Sequence, residues 1–313
     1  METPSVGGGR LSHMTPLHVV IAGSSGSLGQ SLVPALRERG HDVTRLVRRE
    51  AGAGESTWDP QAGVVDADLV QGADVVVNLA GAPLIGNPHS KKWAHDVLES
   101  RRSTTGLLAA TIAAAPEPPA LVNASGISWY GDHGSAPLTE ASDTRGHALL
   151  TRVCREWEAA TRPAVQAGAR VALLRTAPVQ DRSHPPLQQQ RLLFAAGLGG
   201  RLGNGEQHYP LISLRDWVGA AVFLVEHPTA SGPFNLCAPT TPTNAEFTRA
   251  LARRVHRPAI FAVPSPVLRV AAGAMADEVL GSLDVRPAAL LDLGYEFADP
   301  DVDAVLATGL ARG

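Results

Sequence analysis

Nothing in this chain restricts its fold as much as the turn that follows its first apolar segment. Leu17–Ala22 reads as a buried strand, and Gly23-Ser-Ser-Gly26-Ser-Leu-Gly29 comes directly after it. An amphipathic stretch then runs to about Arg39 and is stopped by Gly40. Each glycine of such a GxxGxxG turn has a separate reason. The first permits the tight turn, the second lets backbone approach a pyrophosphate, and the third allows the helix to pack closely on the strand. The helix start then offers free N–H groups and a positive dipole end to an anion. An ordinary strand-to-helix turn is the plain alternative. The context favours a dinucleotide phosphate loop made by Gly23, Ser24, Ser25, Gly26, Ser27, Leu28 and Gly29.

The alternation continues beyond this unit. Val43–Val47, Asp74–Asn78, Ala120–Ala124 and Arg170–Arg175 read as strands, with helices from about Ser90 to Ala115 and from about Gly146 to Ala167. Near-continuous Val/Leu/Ile strands separated by helices predict an α/β fold, a doubly wound parallel sheet covered on both faces. After Thr176 the pattern loosens. Pro178–Gly205 is rich in Gln, Pro and Gly, Arg215–Glu226 is helical, and Phe234–Leu236 is a short strand. The expected organisation is a flexible tail over 1–16, in which Met14 offers a second start, followed by a nucleotide-binding domain over 17–179 plus about 213–229. A smaller mixed substrate lobe takes about 180–212 and 230–313.

Composition narrows the partners. The 313 residues carry 27 Lys and Arg against 30 Asp and Glu, a net charge of −3. That balance gives no global reason to expect nucleic acid or an anionic membrane. No apolar run approaches the roughly 20 residues of a membrane span, and the N-terminus has no signal-like apolar stretch. The expectation is a cytoplasmic protein acting on a small molecule, with a second copy of the chain as the one protein partner to consider. Cys154 and Cys237 lie far apart, so neither a disulfide framework nor a metal spacing is present.

The end of the second strand selects the cofactor. About 20 residues past such a loop an NAD enzyme places Asp or Glu on the ribose hydroxyls. This chain has Leu46-Val47-Arg48-Arg49 there. Arg48 and Arg49 suit a 2′-phosphate, through charge-assisted bonds and stacking on adenine, so NADP(H) is expected over NAD. A solvated basic strand end is the other reading.

The spaced landmarks resemble a family. They include the glycine loop, Trp58-Asp59-Pro60, Asn78-Leu79-Ala80-Gly81, Ser100-Arg101, Tyr130-Gly131 and Cys154-Arg-Glu-Trp157-Glu158. Gly232-Pro-Phe-Asn235, Pro242-Thr-Asn-Ala-Glu246-Phe247, Val285-Arg-Pro287 and Leu293-Gly294-Tyr-Glu-Phe297 follow. From about Leu17 to Leu306 the chain resembles the extended short-chain dehydrogenase/reductases (SDR), and more closely the "epimerase family" proteins similar to nucleoside-diphosphate-sugar epimerases, with their small C-terminal domain of unknown function. The resemblance implies a Rossmann fold and places Leu79, Ala80 and Gly81 along the cofactor ribose and phosphate. It sets Ser125 at the end of the central strand facing the nicotinamide, and Thr176 near its carboxamide.

One expected feature is missing. Active members of this class carry a Tyr and, four residues on, a Lys that lowers its pKa for proton exchange with substrate. Here the residues four beyond Tyr130, Tyr209 and Tyr295 are Gly134, Ser213 and Asp299, and the only lysines are Lys91 and Lys92. By the resemblance, Leu149 and Val153 stand at the two positions, which rules out the standard chemistry. Ser125 is the expected donor to a carbonyl or alkoxide, with Tyr130 reaching the cleft or plugging its wall. Asp132, His133 and Glu140 are acid/base candidates or solvated loop residues. Arg101 either holds a phosphate or carboxylate or caps packing. Trp157 reads as core, Glu158 as a surface or buried, paired carboxylate, and Cys154 as a small hydrophobe. The resulting expectation is an atypical NADP(H)-dependent oxidoreductase or epimerase-like enzyme. The alternative is a non-catalytic NADP(H)-binding sensor or interaction protein.

Overall fold

The computed structural model describes residues 15–311. Residues 1–14, and with them Met14 and most of the expected tail, lie outside that range. Thirteen strands follow in order: β1 His18–Ala22, β2 Asp42–Val47, β3 Glu55–Thr57, β4 Val75–Asn78, β5 Ala120–Gly126, β6 Pro137–Leu138, β7 Val171–Thr176, β8 Val179–Gln180, β9 Gly200–Leu202, β10 Ile212–Ser213, β11 Gly232–Leu236, β12 Phe261–Val263 and β13 Asp284–Val285. The helices are α1 Ser27–Glu38, α2 Ala67–Gln71, α3 Lys91–Ala113, α4 Leu149–Ala159, α5 Arg162–Gln166, α6 Leu187–Ala195, α7 Leu214–Glu226, α8 Asn244–Arg254, α9 Ser265–Ala272, α10 Ala276–Leu280, α11 Ala288–Asp292 and α12 Val302–Leu310.

Seven strands form one parallel sheet in the order β11-β7-β5-β4-β1-β2-β3. The apolar runs explain why it is buried on both faces. In β1, Val19 and Ile21 enter one core with α1 and α7, whereas Val20 and Ala22 enter the other with α3 and α5. β4 splits in the same way, Val75 and Val77 against Val76, as the two-residue alternation of a strand requires. The strand order reverses at β1, between β2 and β4. A ligand crevice opens outside the carboxyl ends of strands at such a point.

Two expectations fail in detail. The helix expected over 146–167 is two helices, because Pro163 sits in the first turn of α5 and forces a restart after Thr161. The lobe boundary at 230 is also wrong. β11 pairs in parallel with β7, from Gly232–Ala172 to Leu236–Thr176, and completes the nucleotide-binding sheet. The segment after β13 returns to that domain too: Leu290 lies in its core, and buried Asp216 of α7 accepts the N–H groups of Ala298 and Asp299. The lobe proper is a third core of Leu187 and Phe194, Phe247 and Leu251, and Val305 and Leu306. Thr243 and Glu246, within the Pro242–Phe247 landmark, form the capping box that starts α8, with Thr243 N donating to Glu246 Oε2 at 2.7 Å.

Candidate functional site

Register brings the sequence-predicted residues to one edge. Ala22 pairs with Leu46 on one side and Asn78 on the other, and Asn78 pairs with Asn123. Gly23, Arg48 and Leu79 therefore emerge side by side from adjacent strands. Gly23 has φ +82°, and a Cβ there would meet the Leu79 carbonyl carbon at 2.6 Å, so the two loops touch through backbone. A Cβ at Gly29 would lie 2.4 Å from the Gly23 oxygen, which fixes α1 against its own turn.

Gly26 differs from both. A Cβ there would meet only the Gly23 oxygen, at 3.4 Å, so space is open in front of it. Gly26 is also the N-cap of α1, with no side-chain cap bond and no acidic residue in the first turn. By the geometry of a helix start, the N–H groups of Ser27, Leu28 and Gly29 have no intrahelical acceptor. Ser24 is buried, while Ser25 is exposed and its carbonyl accepts Gln30 Nε2 at 2.9 Å. The result is a cradle of backbone donors with room for a phosphate. A phosphate group of a dinucleotide would fit it.

The two arginines at the β2 end separate. Arg49 is held by Glu55 of β3, with Nη1 at 2.6 Å and Nη2 at 2.7 Å from its two carboxylate oxygens. These bonds pull the Glu55 pKa down to about 2. Arg48 is exposed and makes no ion pair with a described residue. Among the pair, Arg48 is the one with a free guanidinium.

The loop after β4 is pinned from α3. Ala80 N donates to Asn78 Oδ1, Ala82 N to Ser100 Oγ, and Arg101 Nη1 to the Ala82 and Val97 carbonyls. Arg101 is buried and lies over the Trp157 ring at 4.8 Å. These contacts pack it against α4 and support the loop. Beneath the loop, Asn78, Thr105, Asn123 and Trp157 form a closed buried network.

The nicotinamide end needs more correction. Tyr130 is not in a cleft. It is fully buried, its hydroxyl donates to Asn235 Oδ1 at 2.8 Å, and burial pushes its pKa up to about 12. A phenol so placed is a core tie between β11 and the loop after β5. Ser125 is at the expected strand end, but its hydroxyl donates to Glu158 Oε1 at 2.7 Å. Glu158 in turn holds Arg175 of β7 through two bonds of 2.9 Å, and Arg175 lies 3.6 Å over the Trp129 ring. Thr176 lies beside Gly126, and its hydroxyl accepts Trp217 Nε1 at 3.1 Å.

The loop acids and the histidine are also engaged. Asp132 Oδ1 accepts Gly134 N and Ser282 N, and the His133 ring meets the Tyr130 carbonyl at 3.2 Å. Glu140 accepts Asn235 N and Ala289 N, tying β11 to α11. Cys154 is buried, and burial pushes its thiol up to about 12. Among the described residues no group of three His, Cys, Asp or Glu is arranged to hold a metal.

Sequence reasoning missed two residues here. Arg175 had one visible signal, a charge inside the apolar strand Val-Ala-Leu-Leu-Arg. Glu278 had none. It comes from α10 and its Oε1 accepts Leu150 N at 3.1 Å, at the first turn of α4. Burial raises its pKa, against hydrogen bonds from Ser128 and the α4 backbone. A cavity of about 200 Å³ lies beside it, bounded by Ser128, Thr151, Arg145, Asp132 and Arg269.

A parallel sheet that reverses order at β1, with a glycine cradle on the reversal, defines a Rossmann dinucleotide-binding protein. Comparison with known proteins sharpens this. Residues 19–237 match the NAD dependent epimerase/dehydratase family, and residues 263–308 match a domain of unknown function, DUF1731. The chain belongs to the NAD dependent epimerase/dehydratase family. It is 40% identical over 297 residues to the epimerase family protein Mb2239 of Mycobacterium bovis, covering 94% of this chain and 98% of that one. It is 33% identical over 296 residues to the human epimerase family protein SDR39U1, covering 93% and 98%. The crystal structure of human SDR39U1 (isoform 2) with NADPH superposes with a TM-score of 0.83 at 31% identity, over 94% of this chain and 99% of that one.

Proposed function

We propose that this chain binds NADP(H) along the carboxyl edge of its sheet and is an atypical short-chain dehydrogenase/reductase acting on a small molecule, as an oxidoreductase or epimerase-like enzyme. The observation that carries the reading is the open, uncapped cradle at Gly26 with an unpaired Arg48 on the neighbouring strand. Residues 23–29 would hold the pyrophosphate, Leu79–Gly81 would flank the ribose, and Arg48 would take the 2′-phosphate. The relative solved with NADPH supports the same cofactor. When bound, the nicotinamide supplies or accepts a hydride.

The proton belongs elsewhere in this reading. Tyr130 is spent on Asn235 and Ser125 on Glu158. Glu278 is the remaining half-buried carboxyl beside a cavity, and it stands at the helix start where Leu149 replaces the usual tyrosine. A carboxyl whose pKa is raised by burial can hold a proton closer to neutrality and donate it to a substrate oxygen.

Titration with NADPH and with NADH, for wild type and Arg48→Ala, tests the cofactor assignment. Tight NADPH and weak NADH binding, with that preference lost in the variant, is the expected result. Equal affinity of the wild type for both would overturn it. The second reading, a non-catalytic NADP(H)-binding sensor, is favoured by the engagement of both Ser125 and Tyr130. It predicts stoichiometric NADPH binding with no oxidation across a panel of small carbonyl compounds.

A further inference from the structure

We propose that the face built by α6, Leu198, β9, β12 and α9 docks onto an anionic lipid surface. Three observations carry this. The first is apolar exposure. Of twelve exposed large hydrophobic side chains among the described residues, seven are on this face: Leu192, Leu193, Leu198, Ile260, Phe261, Val267 and Val270. None of the eight residues of α9 is buried.

The second is continuity. β12 pairs in parallel with β9, from Phe261–Gly200 to Val263–Leu202. A Cβ at Gly199 would press on the Phe194 ring of α6 at 2.4 Å, so β9 follows α6 at close range. Arg257 Nε donates to the Ala195 carbonyl, and α9 begins two residues after β12. The elements that carry the seven side chains therefore adjoin one another.

The third is charge. The stretches that build the face, residues 187–202 and 257–272, carry Arg191, Arg201, Arg257 and Arg269 and no Asp or Glu, in a chain whose net charge is −3, and Arg269 lies 3.9 Å from Asp277 of α10. Global composition had hidden this concentration. Arg201 is exposed, and Arg257 donates only to carbonyls. Such a surface combines side chains that insert at the headgroup boundary with cations that meet lipid phosphates.

The same facts disfavour other occupants. Two copies of a face that carries four arginines and no acidic residue repel each other. Ile260, Val270 and Leu198 stand 78%, 76% and 65% exposed, which suits insertion at a headgroup boundary. Among the described residues no helix is long and apolar enough to cross a membrane, so the contact is peripheral.

Flotation of the full chain with vesicles tests the proposal. One set is pure phosphatidylcholine and the other contains three parts in ten of phosphatidylglycerol, each at low and high salt. The wild type is expected to float with the anionic vesicles at low salt and not with the neutral ones. Replacing Arg201 and Arg257 by Gln should lower the partition coefficient about 25-fold, at about fivefold for each arginine lost at the surface. Ile260→Ser with Val270→Ser should abolish flotation. Both variants lie far in sequence from the cradle and should keep the wild-type melting temperature and NADPH affinity, which excludes misfolding as the cause. Absence of flotation, or flotation that neither variant reduces, would overturn the proposal. So would retention on poly-glutamate without vesicle binding, which points to an acidic protein, or a dimer that the serine variant dissociates, which points to self-association.

Discussion

Replacing Gly26 by alanine separates the cradle's role in folding from its role in binding. The backbone at Gly26, φ −74° and ψ 164°, is open to any residue, and the new methyl would touch only the Gly23 oxygen at 3.4 Å. Two small effects on stability oppose each other. Removing a glycine from the unfolded chain stabilises by about 0.4–1 kcal/mol, while alanine is a poorer N-cap than glycine by up to about 1 kcal/mol. The net change should be within about 1 kcal/mol, and the shift in Tm under about 4 °C. Binding should behave otherwise, because the methyl occupies the space in front of the free N–H groups. Losing two charge-assisted hydrogen bonds to phosphate costs about 3–6 kcal/mol, hence at least about 100-fold in NADPH affinity. Gly29→Ala is the control. Its methyl would lie 2.4 Å from the Gly23 oxygen and 2.6 Å from Ser24 Cα, so backbone must move, at about 1–3 kcal/mol. A Gly26→Ala protein that melts normally and binds NADPH like wild type would refute the reasoning.

Other consequences follow from the same geometry. Tyr130→Phe leaves buried Asn235 Oδ1 without its donor and should cost about 1–3 kcal/mol in denaturant unfolding, with NADPH affinity unchanged; lost NADPH binding would return Tyr130 to the site. Glu158→Gln leaves Arg175 charged and largely buried without its carboxylate, and should destabilise by about 3–5 kcal/mol; a neutral effect would show the pair to be dispensable. Glu278→Gln should act through pH. The folded pKa of Glu278 is raised, so its stabilising contribution is full below the unfolded value of about 4.3 and lost as pH rises through the folded pKa. The Tm difference between variant and wild type should therefore move in favour of the variant from acid toward neutral pH, while cofactor-linked turnover falls. A Tm difference that does not change with pH would contradict the assignment.

The legible part of this molecule is the part specified by neighbours in sequence. β1, its glycine turn and α1 could be read because strand period, turn chemistry and helix stop all fall within 17–40. The C-terminal ends of β2 and β4 were placed for the same reason. What could not be read depends on pairing over distance. β9 and β12 are three residues each and some 60 residues apart, so no periodicity announces them. β11 looked like part of the lobe because only the sheet's own edge shows where it belongs. Arg49 resembled Arg48 until β3 delivered Glu55 to it. Tyr130 was misread because its partner Asn235 is 105 residues away. Glu278 reaches α4 across 128 residues, and nothing local marks it.

The central claim is that the edge formed by residues 23–29 and Arg48 receives both ends of the adenine dinucleotide's phosphate chemistry. Phosphorus NMR of NADP⁺ during titration with the protein tests this most directly, since the pyrophosphate and 2′-phosphate give separate signals. Both signals should shift on binding to the wild type, and only the pyrophosphate signals should shift with Arg48→Ala. A titration in which neither signal moves, or in which the 2′-phosphate moves equally with and without Arg48, would contradict the account.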